Sequence, residues 1–332
     1  MRKREYWLDY LRAFACILVT IGHLLMSFQD ANIIREKLIV PTFIDLIYCF
    51  HVYIFFFCSG YLFQANKPKT AFTRVEKCIN FLCLYILFSG ITYVMKIIFS
   101  SSVNSAIEYS FLETLLKYPI NQMWYLYAIS VIFLFSKFID SEKTAYIVLG
   151  AALMMKIISI SGADWLIPVP INYLCQNMIW FVLGQLFMYK QIILSKIITA
   201  MLTLLFIVLF AYRTICDLDS SLMNTLLTLL GLSASTGAVY YLTNKRTATA
   251  GLWKYLSKYM LQIYLLHTIF AAGIRSVLLK LGITHVIPHI VMGLVFSFVI
   301  PITCAIIAER IWFLNIFFFP VKTVKRLMAN KR

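Results

Sequence analysis

Residues 7–28 read WLDYLRAFACILVTIGHLLMSF, a run in which one acid, Asp9, and two basic groups, Arg12 and His23, interrupt otherwise uncharged, mainly apolar positions. About 20 such residues in a helix cross the roughly 30 Å hydrocarbon core of a bilayer. The run follows the basic Arg2, Lys3 and Arg4, yet it exceeds the apolar region of a signal peptide and has no small-residue cleavage pattern. It reads as a retained first membrane helix.

The rest of the chain repeats this pattern. Of 332 residues, 61% are hydrophobic and 13% charged, whereas an ordinary globular chain is about 25% charged. One water-facing core cannot cover that much apolar surface. The apolar residues fall into ten runs, at 8–28, 43–65, 79–99, 122–139, 145–160, 171–189, 196–212, 222–243, 255–279 and 285–307. Hydrocarbon admits only helices or closed barrels, and runs of this length without alternation are helices. The expected fold class is therefore all-α, a polytopic membrane helix bundle forming a single domain over 1–332 with no soluble domain.

Net charge is +16, from 30 basic and 14 acidic residues. The basic residues lie between the apolar runs and form no nucleic-acid patch. If ten helices alternate from the N-terminus, 21 of the 30 basic residues fall on the N-terminal side, among them Lys67, Lys69, Arg74, Lys77 and Lys137. Six fall opposite (Arg35, Lys37, Lys117, Arg213, Arg275 and Lys280), and Arg12, Lys96 and Lys156 remain within helices. Positive loops stay cytoplasmic, so both termini are expected there. The eight cysteines show no metal-ligand or disulfide-framework spacing, and no metal is expected.

Ionisable groups inside membrane helices are expensive, which makes each a functional candidate. Arg12 and His23 are eleven residues apart, close to three turns, and so share one helix face about 16 Å apart along its axis. Arg12 also suits a second reading, snorkelling to headgroups and pairing with Asp9. His51 enters from the opposite side at a depth comparable to His23, so the first two helices could share an outer-half polar cavity. His267 falls near mid-membrane. For His51 and His267, interhelical hydrogen bonding is the competing reading. Lys96 and Lys156 are expected to snorkel from outer helix ends. Ser59 and Gly60 suit a close helix contact. Trp124 and Tyr125 suit either an outer aromatic belt or a sugar-stacking surface. His285 and His289 read as loop or helix-end residues.

Several of these strings together resemble the acyltransferase-3 family of integral membrane acyltransferases, of the sugar O-acetyltransferase type. WLDYLRAFACILVTIGH is similar to that family's Arg-x10-His opening, FHVYIFFFCSGYLF (50–63) to its second-helix motif, and MWYL (123–126) to its Trp-Phe-Leu motif. FVLGQLF (181–187) and YLSKYMLQIYLLH (255–267) complete the order, so the resemblance spans essentially the whole chain. Tyr53 and Tyr259 depart from it, standing where the family usually has proline and serine.

The resemblance implies transfer of an acyl group, commonly acetyl, from cytoplasmic acyl-CoA to a hydroxyl of a surface polysaccharide or its lipid-linked sugar precursor. It implies Arg12 and His23 as catalytic residues, Arg12 also holding the CoA donor, with His51, Ser59, Trp124, Tyr125 and His267 at the substrate. The expected setting is the plasma (inner) membrane of a bacterium. A polysaccharide exporter or proton-coupled transporter also accommodates ten helices with buried Arg and His, although no repeat or paired broken segments point that way.

Overall fold

The computed structural model describes residues 5–66, 71–99, 107–136, 139–162, 167–246, 248 and 250–329. Arg2, Lys3, Arg4, Lys67, Lys69, Lys137, Lys331 and Arg332, which entered the charge count, lie outside them. Every regular element among the described residues is a helix, with no strand among them.

α1 (Tyr6–Asp30) defines the two ends of the bundle. The proximal end is where α1 starts and the distal end is where it finishes. The chain returns through α2 (Ile39–Tyr48) and α3 (His51–Ala65), climbs again as α4 (Ala71–Ile98), and passes a short distal helix, α5 (Phe111–Leu116). α6 (Trp124–Phe135), preceded by a 3₁₀ turn at Asn121–Met123, then descends. α7 (Glu142–Ile160), α8 (Val169–Lys190), α9 (Lys196–Ile215) and α10 (Ser221–Thr243) follow. α11 (Leu252–Lys258) leads into α12 (Met260–Lys280), then α13 (Val286–Arg310) and a proximal helix, α14 (Pro320–Ala329). Serine hydroxyls cap several starts: Ser110, Ser141, Ser195 and Ser220 each accept a backbone N–H three residues on, which satisfies a donor the helix leaves unpaired.

Among the described residues, eight helices are long and apolar enough to cross a membrane. The other two expected spans are helical but different. Asn121–Phe135 is too short: fifteen residues rise about 22 Å, less than the hydrocarbon thickness. α8 is long enough, but Asn172, Gln176, Asn177 and Gln185 make it polar, and it is buried in the bundle centre. Two expected continuous spans are broken. The 43–65 run starts at Ile39 and breaks at Cys49–Phe50, where the Cys49 carbonyl leaves the helix and accepts the Thr228 hydroxyl at 2.7 Å. The 255–279 run breaks at Tyr259, whose hydroxyl binds Glu309 at 3.0 Å beside the Lys258–Glu309 ion pair.

α3 and α8 are packed backbone to backbone. A Cβ on Gly60 would run into the Phe181 carbonyl, and a Cβ on Gly184 into the Phe57 carbonyl. Around this pair lies one continuous core containing Leu11, Phe56, Phe57, Phe63, Leu126, Trp180 and Phe181. By contrast, α7, α9 and α13 present exposed Ile147, Met154, Ile197, Leu204, Ile287 and Val295. Apolar surface on that scale belongs against lipid.

Candidate functional site

Three histidines from three helices meet in the distal half. His23 lies on α1, His51 opens α3 and His267 lies one third of the way along α12. The rings of His23 and His267 are 5.4 Å apart, and Tyr48, at the end of α2, lies between His23 (5.8 Å) and His51 (4.8 Å). The α2–α3 break creates this cluster, because it turns Tyr48 over α1. Gly22 makes room for that ring: a Cβ there would stand 2.8 Å from Tyr48 Cε2.

His51 Nδ1 lies 2.7 Å from the Ile47 carbonyl, and His267 Nδ1 lies 2.9 Å and 3.0 Å from the Ile263 and Tyr264 carbonyls. A carbonyl can only accept, so both rings carry a hydrogen on Nδ1, and in the neutral ring the lone pair is on Nε2. Both Nε2 atoms are buried with no hydrogen-bond partner among the described residues, and so is Gln122 Oε1. Gln122 is fixed by its amide, which donates to Thr268 Oγ1 at 2.8 Å, and by its own carbonyl, which accepts the Tyr264 hydroxyl. His23 is held differently, with Nδ1 3.1 Å from the Tyr48 hydroxyl, which also reaches Met26 Sδ at 3.9 Å.

Two cavities meet at His23. The smaller, about 180 Å³, is lined by His23, Tyr48, His51, Gln122, Trp124, Tyr125 and Tyr264. The larger, about 520 Å³, runs from His23 and His267 to the distal end, past Ser27, Asp30, Lys96, Asn121, Arg275 and Lys280. The second is within the range of small-molecule sites. Among the described residues no group of acidic, cysteine and histidine side chains could hold a metal ion.

The expected site residues therefore divide. His23, His51, Trp124 and Tyr125 share the smaller cavity, and His267 joins His23 in the larger. The antiparallel pairing expected of the first two spans, with His23 and His51 in one distal cavity, is what the structure contains. Trp124 is partly buried at the start of α6, whereas Tyr125 is buried and does not form an outer belt. The short α6 starts inside the bundle, and Tyr125 is buried against Phe55, Phe56 and Tyr264. Ser59 lines neither cavity; its hydroxyl is 3.5 Å from that of Tyr125. Its neighbour Gly60 serves the close helix contact. Arg12 is on the proximal side, 3.7 Å from Asp9, with its charge reaching toward Cys58 and Tyr125.

Lys96, in the last turn of α4, lines the large cavity. Arg275, counted with the outer residues, is 4% exposed and donates to the Ser27 hydroxyl and, at 3.2 Å, to the Ser27 carbonyl. It lies five residues inside the end of α12, so its short reach to α1 buries it. His289 lies at the helix end expected, in the first turn of α13, and is buried there, with Nε2 donating to the Ile283 carbonyl at 2.8 Å. Sequence reasoning missed Tyr48, Gln122 and Tyr264. Only Tyr264 carried a signal, three residues before His267 and thus on the same helix face.

A family model described as an acyltransferase domain matches residues 5–307. No curated protein and no solved structure gives a significant match. The matched span runs from the residue before α1 to within three residues of the end of α13 and contains every residue that lines the two cavities. A membrane-type helical bundle with its histidine-lined cavities wholly inside that match is a membrane acyltransferase, and the chain belongs to the acyltransferase-3 family.

Proposed function

We propose that the protein is an O-acyltransferase that moves an acyl group, acetyl in the simplest case, from cytoplasmic acyl-CoA to a sugar hydroxyl. The acceptor is a cell-surface polysaccharide or its lipid-linked precursor, and the setting is a bacterial plasma membrane with the proximal end inside. One observation carries the reading: the buried lone pairs of His51 Nε2, Gln122 Oε1 and His267 Nε2 gather around His23. Buried acceptors need donors, and a polyhydroxylated ligand supplies several at once.

In this mechanism the Tyr48 hydroxyl directs its hydrogen to Met26 Sδ and accepts from His23 Nδ1–H. His23 Nε2 then holds the lone pair and takes the acceptor's hydroxyl proton. The new C–O bond forms as the thioester C–S bond breaks, and His23 returns the proton to the departing CoA thiolate. Arg12, on the same face of α1 toward the proximal end, binds CoA phosphate, because a permanent cation with several donors suits that group. Trp124 offers a face on which a sugar ring can stack. Transfer through an acyl-His23 intermediate is the covalent variant of the same scheme.

The test is mass analysis of surface polysaccharide from cells with the wild-type gene, without it, and with His23→Ala or Arg12→Ala at matched membrane abundance. Loss of one acyl mass per modified unit, with the polymer otherwise intact, is the expected result in all three altered strains. Loss of the surface polymer itself, with unmodified precursor inside the cell, would replace acyl transfer by export.

A further inference from the structure

The mechanism uses His23 and His267 at one end of the large cavity and leaves its distal part unassigned. That region carries three cations, Lys96 on α4 and Arg275 and Lys280 on α12, against one lining carboxylate, Asp30. Glu108 acts on Lys96 from outside the cavity lining, and Asp30 on Arg275. Lys96 and Lys280 sit in the last turns of their helices, where the helix dipole favours a positive charge without any ligand. Arg275 does not share that explanation. It is buried deeper in α12, and its described hydrogen bonds go to the neutral oxygens of Ser27. Among the described lining residues Asp30 is the one carboxylate set against three cations, so the cavity keeps a net positive charge that an anion offsets.

Part of the cavity wall is apolar, formed by Leu24, Met95, Phe99, Ile269, Ala272 and Val277. Phe99 and Val277 are also exposed, so this wall continues to the outer surface of the bundle. A basic group of side chains beside an apolar wall that reaches the outer surface, with a histidine pair at the far end, matches a molecule with three parts: a chain, an anionic group and a hydroxylated head.

We propose that the large cavity binds an acceptor carrying an anionic group, held by Arg275, Lys96 and Lys280, so that its hydroxyl reaches His23. A phosphate on a lipid-anchored sugar fits best, since it places the chain along the apolar wall; the carboxylate of an acidic sugar has the same charge chemistry. The inference rests on the acyl-transfer reading and specifies its acceptor. Arg275 is bidentate-capable and buried, so it sets the position of the anion, while the two lysines add charge from the rim.

The test uses the full chain in phosphatidylcholine nanodiscs, titrated with farnesyl phosphate, farnesol and glucuronate. Farnesyl phosphate or glucuronate is expected to bind, and which of them binds more tightly identifies the source of the anion. Farnesol is expected to bind at least about tenfold more weakly than farnesyl phosphate, the difference one charge-assisted contact makes. Arg275→Gln and the double variant Lys96→Gln/Lys280→Gln should each weaken the anionic probe about tenfold or more and leave farnesol unchanged. The double variant keeps the question open to test if Arg275→Gln fails to fold, because Lys280 is exposed and Lys96 is only half-buried in the last turn of α4. Equal affinity for farnesol and farnesyl phosphate with no glucuronate binding, or unchanged anion affinity in the folded double variant, overturns the proposal. Acetyl transfer from labelled acetyl-CoA is followed in the same membranes. Charge-dependent binding without any transfer by the wild type rejects the acyl-transfer reading alone, and transfer with charge-independent binding rejects the anion site alone.

Discussion

The three cavity histidines differ in what holds the ring. His51 and His267 are fixed by backbone carbonyls, which leaves them as acceptors, whereas His23 faces the hydroxyl of Tyr48. In the proposed mechanism Tyr48 is a positioning residue: it selects the His23 tautomer and never meets the reacting atoms. Tyr48→Phe removes only the oxygen. The expected effect is a fall in kcat of about tenfold, or about 1.4 kcal/mol, with the KM for acceptor unchanged. Steady-state kinetics in membranes, with protein quantified by immunoblot, checks it. A rise in KM at constant kcat would instead make Tyr48 part of the acceptor site. His23 itself was legible in sequence because an ionisable group inside a membrane helix is expensive and so marks a functional candidate. Tyr48 was not, since tyrosine is common near membrane interfaces and nothing local announces the break that turns it inward.

At the scale of elements, the α3–α8 contact holds the interior together. Each helix offers a glycine to the other's backbone, so Gly60→Ala and Gly184→Ala both force a methyl against a carbonyl that cannot rotate away. Each substitution is expected to cost about 1–3 kcal/mol through overpacking. Thermal unfolding in detergent should show a lowered Tm, and the double variant should not recover it. A single variant as stable as the wild type would show that the two helices can slide apart at no cost. The distal start of α2 gives a pH-dependent case. The Glu36 carboxylate accepts the backbone N–H groups of Leu38, Ile39 and Val40, and these bonds hold its pKa below the ordinary 4.5. A lowered carboxylate pKa stabilises the structure above the unfolded value and is lost as pH falls through the folded one. Amide exchange at Ile39 and Val40 should therefore be pH-independent above 4.5, after correction for intrinsic rates, and accelerate below it. Glu36→Gln should show the faster exchange already at neutral pH.

For the whole molecule, the two ends are distinguished by what they gather. The proximal end joins its segments with ion pairs, Lys258–Glu309, Lys325–Glu76 and Lys190–Glu142, while the distal end opens into the large cavity. Such exposed pairs add little stability, on the order of 1 kcal/mol or less each. Their interest lies in topology, since partners far apart in sequence meet only if the spans alternate. If the positive end is cytoplasmic, Cys216, the exposed cysteine after α9, lies on the outer face. A membrane-impermeant maleimide added to intact cells should label the protein, and Cys216→Ala should remove that label. Labelling seen only after the cells are opened would reverse the orientation.

The sequence by itself determined that this is an all-helical membrane protein. Hydrocarbon permits no unpaired backbone, and long apolar runs leave a helix as the sole local solution. It also determined the shared face of Arg12 and His23, because helical periodicity is local. The family resemblance lay in ordered motifs and needed no third dimension. Tertiary structure decided the rest. The breaks at Cys49–Phe50 and Tyr259 have no proline or glycine behind them; one is satisfied by Thr228 and the other lies beside Glu309, both distant in sequence. The burial of Arg275 depends on where α12 meets Ser27, and the recessed position of Tyr125 on how far the short α6 reaches. Each follows from contacts between remote segments, which a linear pattern of hydrophobicity and charge does not encode.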